Sequence, residues 1–115
     1  MPTLKLFGIP NCDTVKKART FLEMKKIDYE FVDFKKTAPT ADDIQRWEKV
    51  FGGIPVNKAG QTYKKHKETF EGLSPKEKIA FISANSSMIK RPILEKNGKV
   101  LTFGFDEDEY KSLLK

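Results

Sequence analysis

Cys12 is the single cysteine of a 115-residue chain and stands in the stretch FGIPNCDTVKKA, Phe7 to Ala18. A strand-like start precedes it and a run with helical spacing follows. A free thiol titrates near ~8.5 and is mostly protonated at neutral pH, so it becomes a nucleophile only where the thiolate is stabilised. A helix N-terminus does this through its unpaired backbone N–H groups and the positive end of its dipole. The neighbours can add to it. Thr14 can donate its hydroxyl to the sulfur, and Lys16 or Arg91 would contribute charge where the fold brings either close. Asp13 would act in the opposite sense unless its carboxylate points outward or caps the helix. Asn11 either shapes the turn or bonds the thiolate. Against all of these stands simple packing, because free cysteine behaves as a small apolar residue and is often buried.

With one cysteine, a dithiol cycle inside the chain is impossible. The thiolate must form a mixed disulfide, or an adduct with an oxyanion or a sulfenate, and an external thiol must release it. Glutathione, or another small thiol, is the natural co-substrate, and no bound cofactor or metal is expected. A glutathione carboxylate or a small anionic substrate suits Arg91, or a lysine of the Lys58 to Lys65 segment such as Lys58 or Lys64. The only histidine, His66, lies in the solvated-looking stretch KKHKE and is a poor general base.

The elements that must hold these residues follow from patterning. Thr3 to Phe7 alternates around Leu4 and Leu6 and predicts a strand, closed by Gly8 and Pro10. From Thr14, the residues Val15, Ala18, Phe21 and Leu22 repeat at helical spacing, Met24 extends that face, and the helix should end near Lys25 and Lys26. Tyr29 to Phe34 reads as a second strand. A strand, a helix and a strand over this length make a βαβ unit, whose strands lie parallel. Thr40 with Asp43 caps a second helix whose face is Ile44, Trp47 and Phe51 and which Gly52 and Gly53 end. The stretch VNKAGQTYKKHKETFEGL is weakly patterned and predicts a turn followed by short helical pieces. Ser74, Pro75 and Glu77 start a further helix with Ile79, Ala80 and Ile82 on its apolar side. RPILEKNGKVLTFGF carries Asn97-Gly98 between two apolar runs, a strong hairpin signal. Asp106 with Glu109 then caps a last helix bearing Tyr110, Leu113 and Leu114.

Composition sets the outer limits. A chain of this length suits one domain, here residues 1–115 with a helical insert over about 40–90. The net charge is +6, from 22 basic and 16 acidic residues, but the lysines are dispersed in pairs and interleaved with acids. That pattern reads as solvated helix faces rather than a nucleic-acid surface, while still favouring anionic partners. No apolar run approaches the ~20 residues that span a bilayer, so no membrane association is expected. The start MPTLKLFGIP lacks the features of a signal peptide, and one cysteine gives no sign of an oxidising compartment. A cytoplasmic monomer is expected.

A parallel β-α-β half joined through helices to an antiparallel hairpin half gives one mixed four-stranded sheet flanked by helices, an α/β layout of the thioredoxin-like kind. That layout implies the reactive residue at the start of the first helix, where Cys12 stands. It also implies a cis-proline at the entrance to the third strand, where Pro92 follows Arg91.

GIPNCDTVKKARTFLE, the helical insert, IKRPIL and GFDEDEY together resemble the ArsC-like family, which comprises glutaredoxin-type arsenate reductases, Spx-type regulators and small YffB-like relatives. The likeness runs from Leu4 to about Leu114, with NCDTVKKA and NKAGQTYKK most similar to the YffB-like branch. It implies a thiol oxidoreductase in which Cys12 attacks the substrate and glutathione resolves the adduct. In the reductases, arginines hold the oxyanion beside that cysteine. One matches Arg91. A second falls in the middle segment, where Lys58 or Lys64 stands instead. The third follows the hairpin, where TFGFD has no arginine. Lysine supplies charge without the planar two-bond fork, so arsenate reduction proper is not expected. The likeness to Spx-type regulators implies an alternative, a non-catalytic module that contacts RNA polymerase. The Cys-x-x-Cys switch of the best-known regulator is absent, because Val15 stands three after Cys12.

Overall fold

Strand β1 (Leu4–Gly8) is an inner strand that buries Leu4 and Leu6 on one face and Phe7 on the other, leaving only Lys5 exposed. This computed structural model describes residues 4–58 and 60–114. The expected strand start at Thr3 lies outside the described residues. The described chain divides into two compact units, one running up to Lys36 and resuming at Arg91, the other spanning Thr37–Lys90.

In the first unit, α1 (Asp13–Met24) connects β1 to β2 (Glu30–Asp33), and the two strands pair in parallel with Leu6 opposite Phe31. Val15, Ala18, Phe21 and Leu22 are buried on one face of α1, as their spacing predicts. Met24 departs from that reading: it is 77% exposed, because α1 is in its last turn there and the residue has rotated off the buried stripe. The chain returns as β3 (Ile93–Lys96), antiparallel to β1, and continues into β4 (Lys99–Phe103), antiparallel to β3. The sheet order is β2-β1-β3-β4, the mixed thioredoxin-like arrangement. Asn97 (φ 54°) and Gly98 (φ 78°) both adopt positive φ, the requirement of the two-residue turn that matches strand twist. Helix α5 (Glu107–Leu113) follows. Its cap is Asp106, whose carboxylate accepts from the Glu109 N–H at 2.9 Å. Leu4, Leu6, Ala18, Phe21, Leu22, Leu94 and Tyr110 form the core of this unit.

The second unit is helical. Helix α2 (Ala41–Phe51) opens with the expected capping box between Thr40 and Asp43, and it buries Ile44 and Trp47. Phe51 is 41% exposed at its end rather than part of the buried face. The weakly patterned middle stretch is not short pieces but one continuous helix, α3 (Gln61–Glu71). Its buried residues, Tyr63 and Phe70, lie seven apart, which is two turns and therefore one face. Only two apolar anchors hold it, and no side chain caps its start, so the periodicity was too thin to register. Helix α4 (Pro75–Ala84) carries the second capping box, Ser74 with Glu77. Ile82 is buried and Ile79 half-buried, but Ala80 is exposed, being 200° of helical rotation (about 3.6 residues per turn) from Ile82. A short 3-10 turn over Ser86–Met88 leads out. Near its exit, Val56 bridges Ile89, the Asn57 N–H donates to the Met88 carbonyl at 2.8 Å, and the Lys90 N–H donates to the Pro55 carbonyl at 2.8 Å.

Candidate functional site

Gly8 ends β1 with its backbone pressed against the first turn of α1. A Cβ built on it would lie 2.8 Å from the Cγ2 of Val15, which is fully buried, so only glycine permits this approach. The chain then turns through Ile9, Pro10 and Asn11, closed by the Cys12 N–H donating to the Ile9 carbonyl at 3.3 Å. Pro10 takes the second position of that turn, which its fixed φ suits, and exposed Asn11 takes the third. Asn11 therefore serves as a turn former.

Cys12 is the N-cap of α1, with extended backbone (φ −99°, ψ 125°), and its carbonyl accepts from the Lys16 N–H at 2.9 Å. Its side chain is half-buried. No side chain caps the helix, so its first N–H groups are free to face the sulfur. Burial, the largest single influence, pushes the thiol pKa up. The Val15 N–H, a hydrogen bond and charge attraction from the Arg91 guanidinium, and the Thr14 N–H together outweigh it, and the pKa lies below its ordinary value. Thr14 thus acts through its backbone N–H rather than through the hydroxyl expected of it. Of the two cations considered, Arg91 reaches the sulfur while Lys16 is solvent-exposed. Asp13 is exposed, as expected.

Arg91 precedes β3, and its peptide bond to the buried Pro92 is cis. Pro92 is tied to the hairpin's far end: its carbonyl accepts from the Gly104 N–H at 2.7 Å. Gly104 has φ 82°, in the left-handed region, and its own carbonyl accepts from the buried Tyr110 hydroxyl at 3.2 Å. This accounts for the glycine in TFGFD, which holds the Pro92 segment from below. Burial, with the nearby Glu109 charge, pushes the Tyr110 hydroxyl well above its usual range, so it remains a donor.

The other residues nominated from sequence lie in the second unit. Lys58 follows the Val56 bridge and is exposed beside a depression of about 390 Å³ that also involves Tyr63 and Phe70. Lys64 is exposed in the first turns of α3. His66 is half-buried with its ring edge-on to Phe81, 5.5 Å between centroids, which is a packing role. The helix-start N–H groups expected to face the sulfur are those of Val15 and Thr14. The role of Gly8 escaped sequence reasoning, because its need arises from a contact seven residues away. Among the described residues no group of three His, Cys, Asp or Glu is placed to hold a metal, and no helix is long and apolar enough to cross a membrane.

The model of the ArsC family matches residues 7–113. The chain belongs to the ArsC family. An uncharacterised protein of Haemophilus influenzae is 32% identical over 111 residues, covering 95% of this chain and 96% of its own length. The structure of the YffB protein superposes with a TM-score of 0.84 at 36% identity, over 98% of this chain and all of the other. The global transcriptional regulator Spx of Staphylococcus aureus is 28% identical over 112 residues, 95% of this chain and 85% of the regulator. The expected family and the expected thioredoxin-like fold both stand.

Proposed function

We propose that the protein is a glutathione-dependent thiol oxidoreductase of the ArsC class, working as a single catalytic domain in the cytoplasm with Cys12 as its only nucleophile. The observation that carries this reading is the lowered thiol pKa, held by the Val15 N–H and Arg91. The Cys12 thiolate attacks one sulfur of a disulfide, forming a mixed disulfide and releasing the other half as a thiolate. Reduced glutathione, or another small thiol, then attacks the mixed disulfide, frees Cys12 and leaves as the new disulfide. Arg91 supports the thiolate and can meet the carboxylate of the incoming thiol. Lys58 and Lys64 remain candidate cations for an anionic substrate. Arsenate itself is a poor substrate in this reading, because TFGFD supplies no third arginine.

Incubation with oxidised glutathione followed by intact-protein mass spectrometry tests it. A single glutathione on Cys12, removed by reduced glutathione and absent in Cys12→Ser, is the expected result. No adduct at any pH up to that of a free thiol overturns it. The similarity to Spx favours a second reading, a regulator that contacts RNA polymerase. Capture of the purified polymerase α subunit by both the native protein and Cys12→Ser would decide for it.

A further inference from the structure

Met24 has the largest exposure of any big apolar side chain among the described residues, 77%, and it does not stand alone. It borders an open groove of about 430 Å³ between α1 and the start of α5. The apolar floor comes from Phe21 and Phe105, whose rings lie 5.9 Å apart, with Tyr110 packed edge-on beneath Phe105 at 4.7 Å. A second depression of about 300 Å³ shares Phe21 and Lys25 with the first, so the groove continues along the same pair of helices.

The rim is basic. Lys16, Lys17 and Lys25 edge the groove from α1. The acid on the facing side, Glu107, is answered by Lys111 on its own helix at 4.0 Å. Thr20 and Met24 follow Lys16 at four-residue steps, making a line about 12 Å long down the groove. The lining residues come from α1 and from Phe105 and Glu107 at the start of α5, none of them in a strand, so the groove presents no strand edge to pair with. An occupant must satisfy its own backbone, which a helix does. Methionine at the lip suits a surface that adapts to an apolar side chain.

We propose that this groove docks an acidic amphipathic helix of a partner protein. The partner's apolar stripe covers Met24 and Phe105, and its glutamates or aspartates meet Lys16, Lys17 and Lys25. The site is separate from the thiol chemistry and does not depend on it.

The probe is a synthetic helical peptide with leucines at three- and four-residue spacing and glutamates elsewhere, titrated into the isotope-labelled full chain. A lysine-for-glutamate peptide and phosphatidylserine vesicles serve as parallel arms. Saturable binding of the acidic peptide is expected, with amide shifts at Lys16, Thr20, Met24 and Lys25. It should weaken with salt and fall by about tenfold or more in Lys17→Glu/Lys25→Glu. Met24→Ser, at a position too exposed to matter for folding, should weaken it several-fold. Unchanged affinity in both variants, shifts clustered elsewhere, or equal binding of the lysine peptide overturns the proposal. So does binding to vesicles without binding to peptide, or self-association through this face that Lys25→Glu dissolves.

Discussion

The Arg91 guanidinium hydrogen-bonds the Cys12 sulfur, although one residue stands at the mouth of β3 and the other at the first turn of α1. The sheet makes this possible. β1 and β3 are neighbours running in opposite directions, so the end of β1 and the start of β3 share one edge. Charge from one strand thereby meets the helix start that follows the other.

Removing that cation should weaken the acid. In Arg91→Ala, the pH at which iodoacetamide alkylation of Cys12 is half-maximal is expected to move upward from its native position, which lies below that of a free thiol. Arg91→Lys should fall between the two, because it keeps charge without the fork. The pH profile of alkylation rate, measured on all three proteins, checks this.

The lowered thiol pKa also links stability to pH. Between the folded and unfolded pKa values the unfolded chain holds a proton that the native protein has lost, so stability rises with pH across that window. The contribution is fully present above the unfolded value and disappears as pH falls through the folded one. Denaturant midpoints of the native protein and Cys12→Ser, compared across this window, should diverge in favour of the native protein as pH rises.

Gly8→Ala places a methyl group 2.8 Å from Val15 Cγ2. The expected loss is about 1–3 kcal/mol, as for other overpacked sites. Part of it should be recovered in Gly8→Ala/Val15→Ala, where the opposing methyls are gone. Urea unfolding of the two single variants and the double variant measures the coupling, and purely additive losses would contradict the contact.

Tyr110→Phe deletes the hydroxyl bond to the Gly104 carbonyl without changing the packed ring. A loss of about 1 kcal/mol is expected from thermal or denaturant unfolding. Gly104→Ala should cost at least as much, since φ 82° disfavours a Cβ.

Much of this was legible in advance because it is local. Asn97-Gly98 specifies its turn through two backbone conformations, and Thr40 and Ser74 announce helix starts through groups three residues away. Cys12 and Arg91 were readable as a thiol before a helix and a cation before a proline. The misread parts depend on tertiary context. Helix α3 forms on two anchors, Tyr63 and Phe70, and Met24 and Ala80 fall on the solvent side although their types fit a core. Thr14 was credited with the wrong group, since a hydroxyl is visible in a sequence and an N–H is common to nearly all residues.

That last distinction bears on how the protein can vary. Burial alone would make Cys12 a weaker acid than free cysteine, and the leading counterweight, the Val15 N–H, belongs to the main chain. Apart from proline, which has no N–H, no replacement at position 15 deletes it, provided the new residue still clears Gly8. Arg91 is the one contribution that comes from a side chain. Thiol acidity here is therefore carried mainly by the backbone and graded by one side chain, at position 91.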